Sequence, residues 1–287
     1  DLVLTLPAVQ AVKRAFPDAR ITLLLREYTA PVVKDHPAVD AVIYDYDLKK
    51  YHFDLSVNFY NEFKDTFAVW RAGIPARLGD SSRILTAWMN NLRVFRNWRD
   101  QTKHEVEQNM ALLKPLGISG PPPAPIIVVD AAAKKRVASL VEGKSRLAGI
   151  HCGAVTSQSW APAKFALIAK FLIENNYRVL ILGGEKERSA AAIIAAANSD
   201  IVNLTGKLPL TDLIAVISRL NFFLGMDSGP AHLAAVFQVP EVMIMLNPNA
   251  KPYRWHPWQT KYQTVAAQGK NADVPVAEVI AAIGKVF

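Results

Sequence analysis

The chain holds one cysteine, Cys152, in 287 residues, so no disulfide framework can be built within it. Its six histidines and that single thiol show no zinc-ligand spacing, and neither a metal nor another cofactor is expected. Long apolar runs are missing too. The most apolar stretches, such as residues 179–182 and 242–246, fall far short of the roughly 20 residues that cross a bilayer. With no signal peptide pattern either, the chain reads as a cytoplasmic protein. The glycine motifs GxGxxG and GxxxxGK[ST] do not occur, which leaves dinucleotide and P-loop readings without support. Acidic residues are in deficit: 25 Asp and Glu against 33 Lys and Arg give a formal charge of +8. Such a balance asks for an anionic partner, whether nucleic acid, an anionic membrane or a phosphorylated substrate. No nucleic-acid-binding motif accompanies it, so nucleic acid is not expected.

What is present is enough apolar sequence, 51% of residues, to bury a core, and enough length for two domains. Val3, Leu6, Val9, Val12 and Phe16 recur at spacings of three and four, predicting a helix stopped at Pro17. Because the chain enters this helix directly from Asp1, a preceding strand is expected to be missing. Short apolar runs at 21–25, 41–44 and 55–59 alternate with helix-length segments, the pattern of an open parallel sheet. The SGPPPAP stretch at 119–125 has neither period and reads as a stiff connector, so domains are expected at 1–122 and 123–287. Beyond it, strands are predicted at 147–151, 178–182, 201–204, 222–226 and 242–246, with helices at 162–175, 185–197, 211–219 and 229–237. A closing helix at 274–286 is expected to pack back on the N-terminal half. The whole reads as α/β, two doubly wound Rossmann-like domains facing a cleft, where open sheets bind ligands at the carboxyl ends of their strands.

The segment Gly225-Met226-Asp227-Ser228-Gly229-Pro230-Ala231-His232 falls where a strand ends and a helix begins. Free N–H groups and the helix dipole there favour a phosphate, and Gly229 admits close backbone approach. An ordinary turn capped by Ser228 or Asp227 fits these residues equally well. Cys152 beside His151 suggests a thiol nucleophile only superficially, since adjacency in sequence supplies no Cys–His geometry.

Four blocks, in order, carry a resemblance: DLVLTLPA from Asp1, HEVEQN from His104, Gly183-Gly184 followed by Glu187, and GMDSGPAH from Gly225. Together they resemble the ADP-heptose:lipopolysaccharide heptosyltransferases of glycosyltransferase family 9, over nearly the whole chain. The resemblance implies a GT-B fold, an N-terminal acceptor domain, a C-terminal nucleotide-sugar domain and metal-independent, inverting transfer to a lipopolysaccharide core acceptor. It also implies a protein peripheral at the cytoplasmic face of the inner membrane. Asp1 matches the family's catalytic base, although an Asp before a helix is more commonly its N-cap. Gly153 and Ala154 match positions at the donor phosphates, Glu187 the position that holds the nucleoside, and Asp227 the position that binds sugar hydroxyls. Ser228, Gly229 and His232 complete the expected donor site, with His232 either reaching a phosphate or buried in the core.

Gln158 departs from the pattern, which usually carries Lys or Arg near the phosphates. The missing charge would then fall to the helix start at 228–232, or to Lys164, Lys251 or Arg254. From 83 to 103, Arg93, Arg96 and Arg99 are interleaved with aromatic residues, as suits an anionic membrane or a phosphorylated glycolipid; a solvated helix with its aromatics in the core is the alternative. The KPYRWHPW stretch at 251–258 is expected to pack a seam between domains. Two other functions stay open at this point: a nucleotide-sugar epimerase, and a nucleotide- or glycolipid-binding protein weakened in catalysis, as Gln158 would allow.

Overall fold

A computed structural model describes residues 2–97, 100, 102–143, 146–153, 159–247, 252–267 and 273–287. The chain forms two compact units, Asp1–Ile126 and Ile127–Phe287.

In the N-terminal unit, α1 (Leu2–Ala15) buries Val3, Leu4, Leu6, Ala8, Val9 and Ala11, the face its apolar spacing marks out. Strands β1 (Thr22–Leu24) and β2 (Ala41–Ile43) pair in parallel. A second parallel sheet is built from β3 (Leu55–Asn58), β4 (Ala76–Asp80) and β5 (Leu92–Val94), in that order. Helices α2 (Phe63–Arg71) and α3 (Ile84–Ala87) connect these strands. Helix α4 (Glu105–Leu112) starts on a reciprocal cap: the Val106 N–H donates to His104 Nδ1 at 3.1 Å and the His104 N–H to Glu107 at 2.7 Å. The buried Asn109 donates to the Leu4 carbonyl at 3.1 Å, tying α4 to α1 around a core of Ala8, Leu78, Met110, Leu112 and Leu113. Gln10 of α1 bonds the connector at both its amide atoms, to Ala124 O at 3.0 Å and from the Ile126 N–H at 3.3 Å. Those bonds hold the proline stretch on the N-terminal unit, which extends to Ile126.

The C-terminal unit opens with α5 (Ala131–Val141), capped by the Asp130 carboxylate, which accepts from the Ala133 N–H at 2.7 Å. Alternation then continues through β6 (Arg146–His151), α6 (Pro162–Glu174), β7 (Tyr177–Leu182), α7 (Arg188–Ala195), β8 (Val202–Asn203) and α8 (Leu210–Ile217). It ends with β9 (Phe222–Met226), α9 (Gly229–Val236), β10 (Glu241–Met245), α10 (Pro252–Trp255), β11 (Tyr262–Ala266) and α11 (Val276–Val286). The six strands form one parallel sheet in the order β11-β10-β9-β6-β7-β8. Every residue of β9 and β10 is buried, and apart from Glu241 at the start of β10 both read as apolar runs. From β6 the chain builds outward through β7 and β8, then crosses back to lay β9, β10 and β11 on the other side. The winding reverses between β6 and β9, and at such a point an α/β sheet takes its ligand. Helix α11 buries Val279, Ala282, Ile283 and Val286 in this unit's own core.

Candidate functional site

Three loops leave neighbouring strands at the carboxyl edge of the C-terminal sheet: 152–153 after β6, 183–187 after β7 and 227–228 after β9. Sequence order separates them widely, and parallel pairing of β6 with both β7 and β9 brings them side by side. Gly153 and Glu187 meet here. A Cβ at position 153 would lie 2.7 Å from Glu187 Oε1 and 2.9 Å from its Cδ, so only glycine lets the carboxylate stand over the β6 loop. Glu187 is fixed by its other oxygen, Oε2, which accepts from the Gly184 N–H at 2.8 Å. A carboxylate has more acceptor capacity than this one bond uses.

On the other side of the switch point, Ser228 occupies the N-cap position of α9 and yet makes no side-chain cap. Its hydroxyl lies 3.2 Å from His151 Nδ1 at the end of β6, with both residues buried. Of the two capping residues that the sequence offered, Ser228 does not cap the helix: its hydroxyl is engaged with the imidazole instead. An uncapped helix start presents N–H groups and a positive dipole end, the arrangement that binds phosphate. Burial holds the His151 imidazole down at about 4, against an opposing pull from Glu187, so it is neutral near pH 7.

His232 is buried one turn into α9, with Nε2 3.4 Å from Asp227 Oδ1 and no partner for Nδ1 among the described residues. His232 is thus buried at the start of α9 and stands against Asp227. Asp227 itself stays partly exposed. Burial pushes the Cys152 thiol up to about 11, with Glu187 adding to the rise and the residue's backbone hydrogen bond opposing it. A protonated thiol in the core is no nucleophile.

The sequence matches glycosyltransferase family 9 (heptosyltransferase) over residues 45–278. The chain belongs to this family. Lipopolysaccharide heptosyltransferase 3 of Escherichia coli is 25% identical over 333 residues, covering 100% of this chain and 96% of that protein. Lipopolysaccharide heptosyltransferase 2 of Salmonella typhimurium is 24% identical over 276 residues, covering 85% and 79%. Among solved structures, the family 9 glycosyl transferase of Veillonella parvula superposes with a TM-score of 0.86 at 18% identity, over 99% of this chain and 93% of that one. E. coli ADP-heptose LPS heptosyltransferase II gives 0.85 at 20% identity, over 100% and 95%. E. coli heptosyltransferase WaaC with ADP gives 0.78 at 18% identity, over 100% and 96%. The fold is thus of the GT-B type, two Rossmann-like α/β domains.

Several of the expected site residues lie outside the described residues: Asp1, Ala154 and Gln158 at family-matched positions, Arg99 of the basic stretch and the alternative cation Lys251. Among the cations weighed as substitutes for a charge at Gln158, Lys164 is engaged by Asp273 and by the Val274 carbonyl at 3.2 Å. Arg254 is buried, its guanidinium over the Trp255 ring at 5.1 Å. The aromatics of 252–258 pack locally, His256 stacking on Tyr262 of β11 with ring centroids 4.8 Å apart. Among the described residues no group of three or more His, Cys, Asp or Glu side chains is gathered as a metal site.

The basic stretch at 83–103 is not one helix. Short α3 and strand β5 occupy its first part, and Arg93 and Arg96 there do not share a role. Arg93 is exposed, with Nε bonded to the Asn90 carbonyl at 2.7 Å. Arg96 is corrected: it is buried, paired with Glu105 at 3.0 Å, and donates to the Phe59 carbonyl at 2.9 Å. A guanidinium so enclosed cannot reach a membrane or a glycolipid; it fastens β3 to α4. Sequence reasoning missed His151 as a site residue. Its one sequence signal was its place at the end of a predicted strand, directly before Cys152-Gly153.

Proposed function

We propose that this family 9 protein transfers a heptose from ADP-heptose, or a closely related nucleotide sugar, to a lipopolysaccharide inner-core acceptor, with inversion and without a metal. One observation carries the donor side: the His151–Ser228 bond leaves α9 uncapped at the switch point, next to the loop where Glu187 stands over Gly153. A diphosphate is the natural ligand of the first feature. A ribose with two hydroxyls suits the second, since a carboxylate accepts both. Asp227, partly exposed at the same helix start, takes the sugar hydroxyls. The names of the E. coli and Salmonella relatives support heptose as the sugar and lipopolysaccharide as the acceptor, and ADP accompanies one of the structural relatives.

In the displacement, an acceptor oxygen forms a bond to the anomeric carbon while the bond from that carbon to the diphosphate breaks. Asp1, matched to the family's base through the DLVLTLPA block, takes the acceptor proton as general base. The α9 N-terminus stabilises the charge that develops on the departing ADP. Because the acceptor is lipid-borne, the reaction belongs at the cytoplasmic face of the inner membrane. Incubation with labelled ADP-heptose and a heptose-deficient core acceptor tests the reading. Labelled core is the expected product. Isomerised free donor would mean an epimerase, and ADP binding without turnover would mean a protein that has kept its site and lost the reaction.

A further inference from the structure

A contiguous apolar surface on the N-terminal unit has no part in the chemistry above. Phe63, Phe67 and Trp70 of α2 recur at spacings of four and three, which places them on one helical face. That face is turned outward, while Thr66 and Val69 supply the buried one. Helix α3 and its C-cap extend the surface with Ile84, Leu85 and Trp88, exposed by 87%, 72% and 54%. Ring contacts make it continuous: Phe63 to Phe67 and Phe67 to Trp70 at 5.7 Å, then Trp70 edge-on to Trp88 at 5.2 Å. An exposed apolar surface of this kind marks a binding face.

Its rim says what binds. Lys64, Arg71, Arg83 and Arg93 are exposed around it. Of the acids in the same stretch, Asp65 accepts from the Tyr46 hydroxyl at 2.8 Å, Asp80 is buried and bonded to Ser82, and Glu62 is left exposed. Lys64 Nζ also stands 3.9 Å over the Tyr46 ring. Aliphatic tips, amphipathic tryptophans and a basic rim are complementary, layer by layer, to the acyl boundary, the interface and the anionic headgroups of a lipid leaflet.

We infer that the α2–α3 face docks on an anionic phospholipid surface, with Ile84, Leu85 and Trp88 entering the leaflet and Lys64, Arg71 and Arg83 meeting headgroup phosphates. Residues 81–83 lead directly from β4 into α3, so the docked face lies at the carboxyl end of this sheet, where a lipid-borne acceptor is wanted. The inference goes beyond the proposed reaction and stands whether or not the transferred sugar is a heptose.

Cosedimentation with phosphatidylcholine vesicles, plain or containing phosphatidylglycerol, tests it, with ADP binding measured in parallel. The parent chain should partition onto the phosphatidylglycerol vesicles and lose that partition in high salt. Ile84→Ser/Leu85→Ser changes two exposed side chains and should lower partition at least about tenfold. Lys64→Gln/Arg71→Gln should lower it roughly fivefold per charge removed and flatten its salt dependence. ADP affinity should be unchanged in both. Failure of the parent to bind ADP would count against the proposed reaction and leave the vesicle result intact. Vesicle binding unaltered by either pair of changes overturns the docking face. A parent dimer that Ile84→Ser/Leu85→Ser converts to monomer, with vesicle partition unchanged, also overturns it and makes the surface a contact between copies.

Discussion

The Ser228 hydroxyl, 3.2 Å from His151 Nδ1, is bonded across the sheet from the end of β6 to the start of α9. A serine at an N-cap ordinarily turns its oxygen onto the first helical N–H groups. Here a neutral imidazole competes for that oxygen, and burial keeps the imidazole neutral. Helix capping and ligand binding are alternatives for the same N–H groups, and the His151–Ser228 bond leaves them without a cap from Ser228.

Replacement of His151 by Phe should therefore weaken ADP binding without contact between residue 151 and the nucleotide. Released from its partner, Ser228 turns to cap α9, a contribution of about 1 kcal/mol that the phosphate must displace. The dissociation constant should rise about fivefold while the melting temperature stays close to that of the parent. Calorimetry with ADP beside a thermal melt checks both. Unchanged affinity in a folded variant would show that the hydroxyl is not held away from the helix by His151.

Gly153 and Glu187 should behave as one unit. A methyl at 153 would meet the Glu187 carboxylate at 2.7–2.9 Å and push it off the β6 loop. Gly153→Ala and Glu187→Gln should each weaken nucleoside binding by about 1.5–3 kcal/mol, the range for a hydrogen bond to a charged group. The double variant should be little worse than either single one, because both remove the same contact. Additive losses would separate the two residues.

Arg96 and Arg93 should part company despite lying three residues apart. Arg96→Gln leaves Glu105 buried without its partner and should lower unfolding stability by about 3–5 kcal/mol. Arg93→Gln alters an exposed side chain and should fall within about 0.5 kcal/mol of the parent. Denaturant unfolding of both variants reads the difference. Equal, small effects would mean that the Arg96–Glu105 pair contributes little.

Much of the C-terminal sheet was legible in the sequence, and for a physical reason. Strands such as β9 and β10 are buried on both faces, so they read as short apolar runs set off by turn residues. In the N-terminal unit, β4 carries Arg77, Gly79 and Asp80 and offers no such run. Its charges are satisfied only after folding, Arg77 by the Ile74 and Met89 carbonyls and Asp80 by Ser82. Arg96 was misread because nothing local shows that Glu105 will close over it. At the site, the glycines and Glu187 were visible through family blocks, whereas the His151–Ser228 bond spans 77 positions and only the sheet order creates it. The same order sets Glu241 at the buried start of β10, which no pattern in its neighbourhood marks as unusual.

Glu241 gives the last prediction, on stability against pH. It is fully buried, neither carboxyl oxygen has a partner among the described residues, and burial raises its pKa well above the usual carboxylate range. In the folded chain it is held neutral, while the unfolded chain releases its proton above about 4.5. Its contribution to stability is thus complete below that value and is lost as pH climbs towards the folded pKa, at about 1.4 kcal/mol per pH unit. His151 works the other way: with its folded pKa at about 4, the unfolded state binds the extra proton between there and about 6.5, so stability rises with pH across that window. Above about 4.5 the two slopes oppose each other, the His151 rise ending at about 6.5 and the Glu241 fall ending where pH passes its raised folded pKa. Glu241 should therefore lower stability at alkaline relative to acidic pH. Glu241→Met removes the ionisable group and keeps an apolar side chain in an apolar place. Its melting temperature should exceed the parent's by more at pH 8 than at pH 5. An equal gain at both pH values would show that Glu241 does not change its protonation on unfolding.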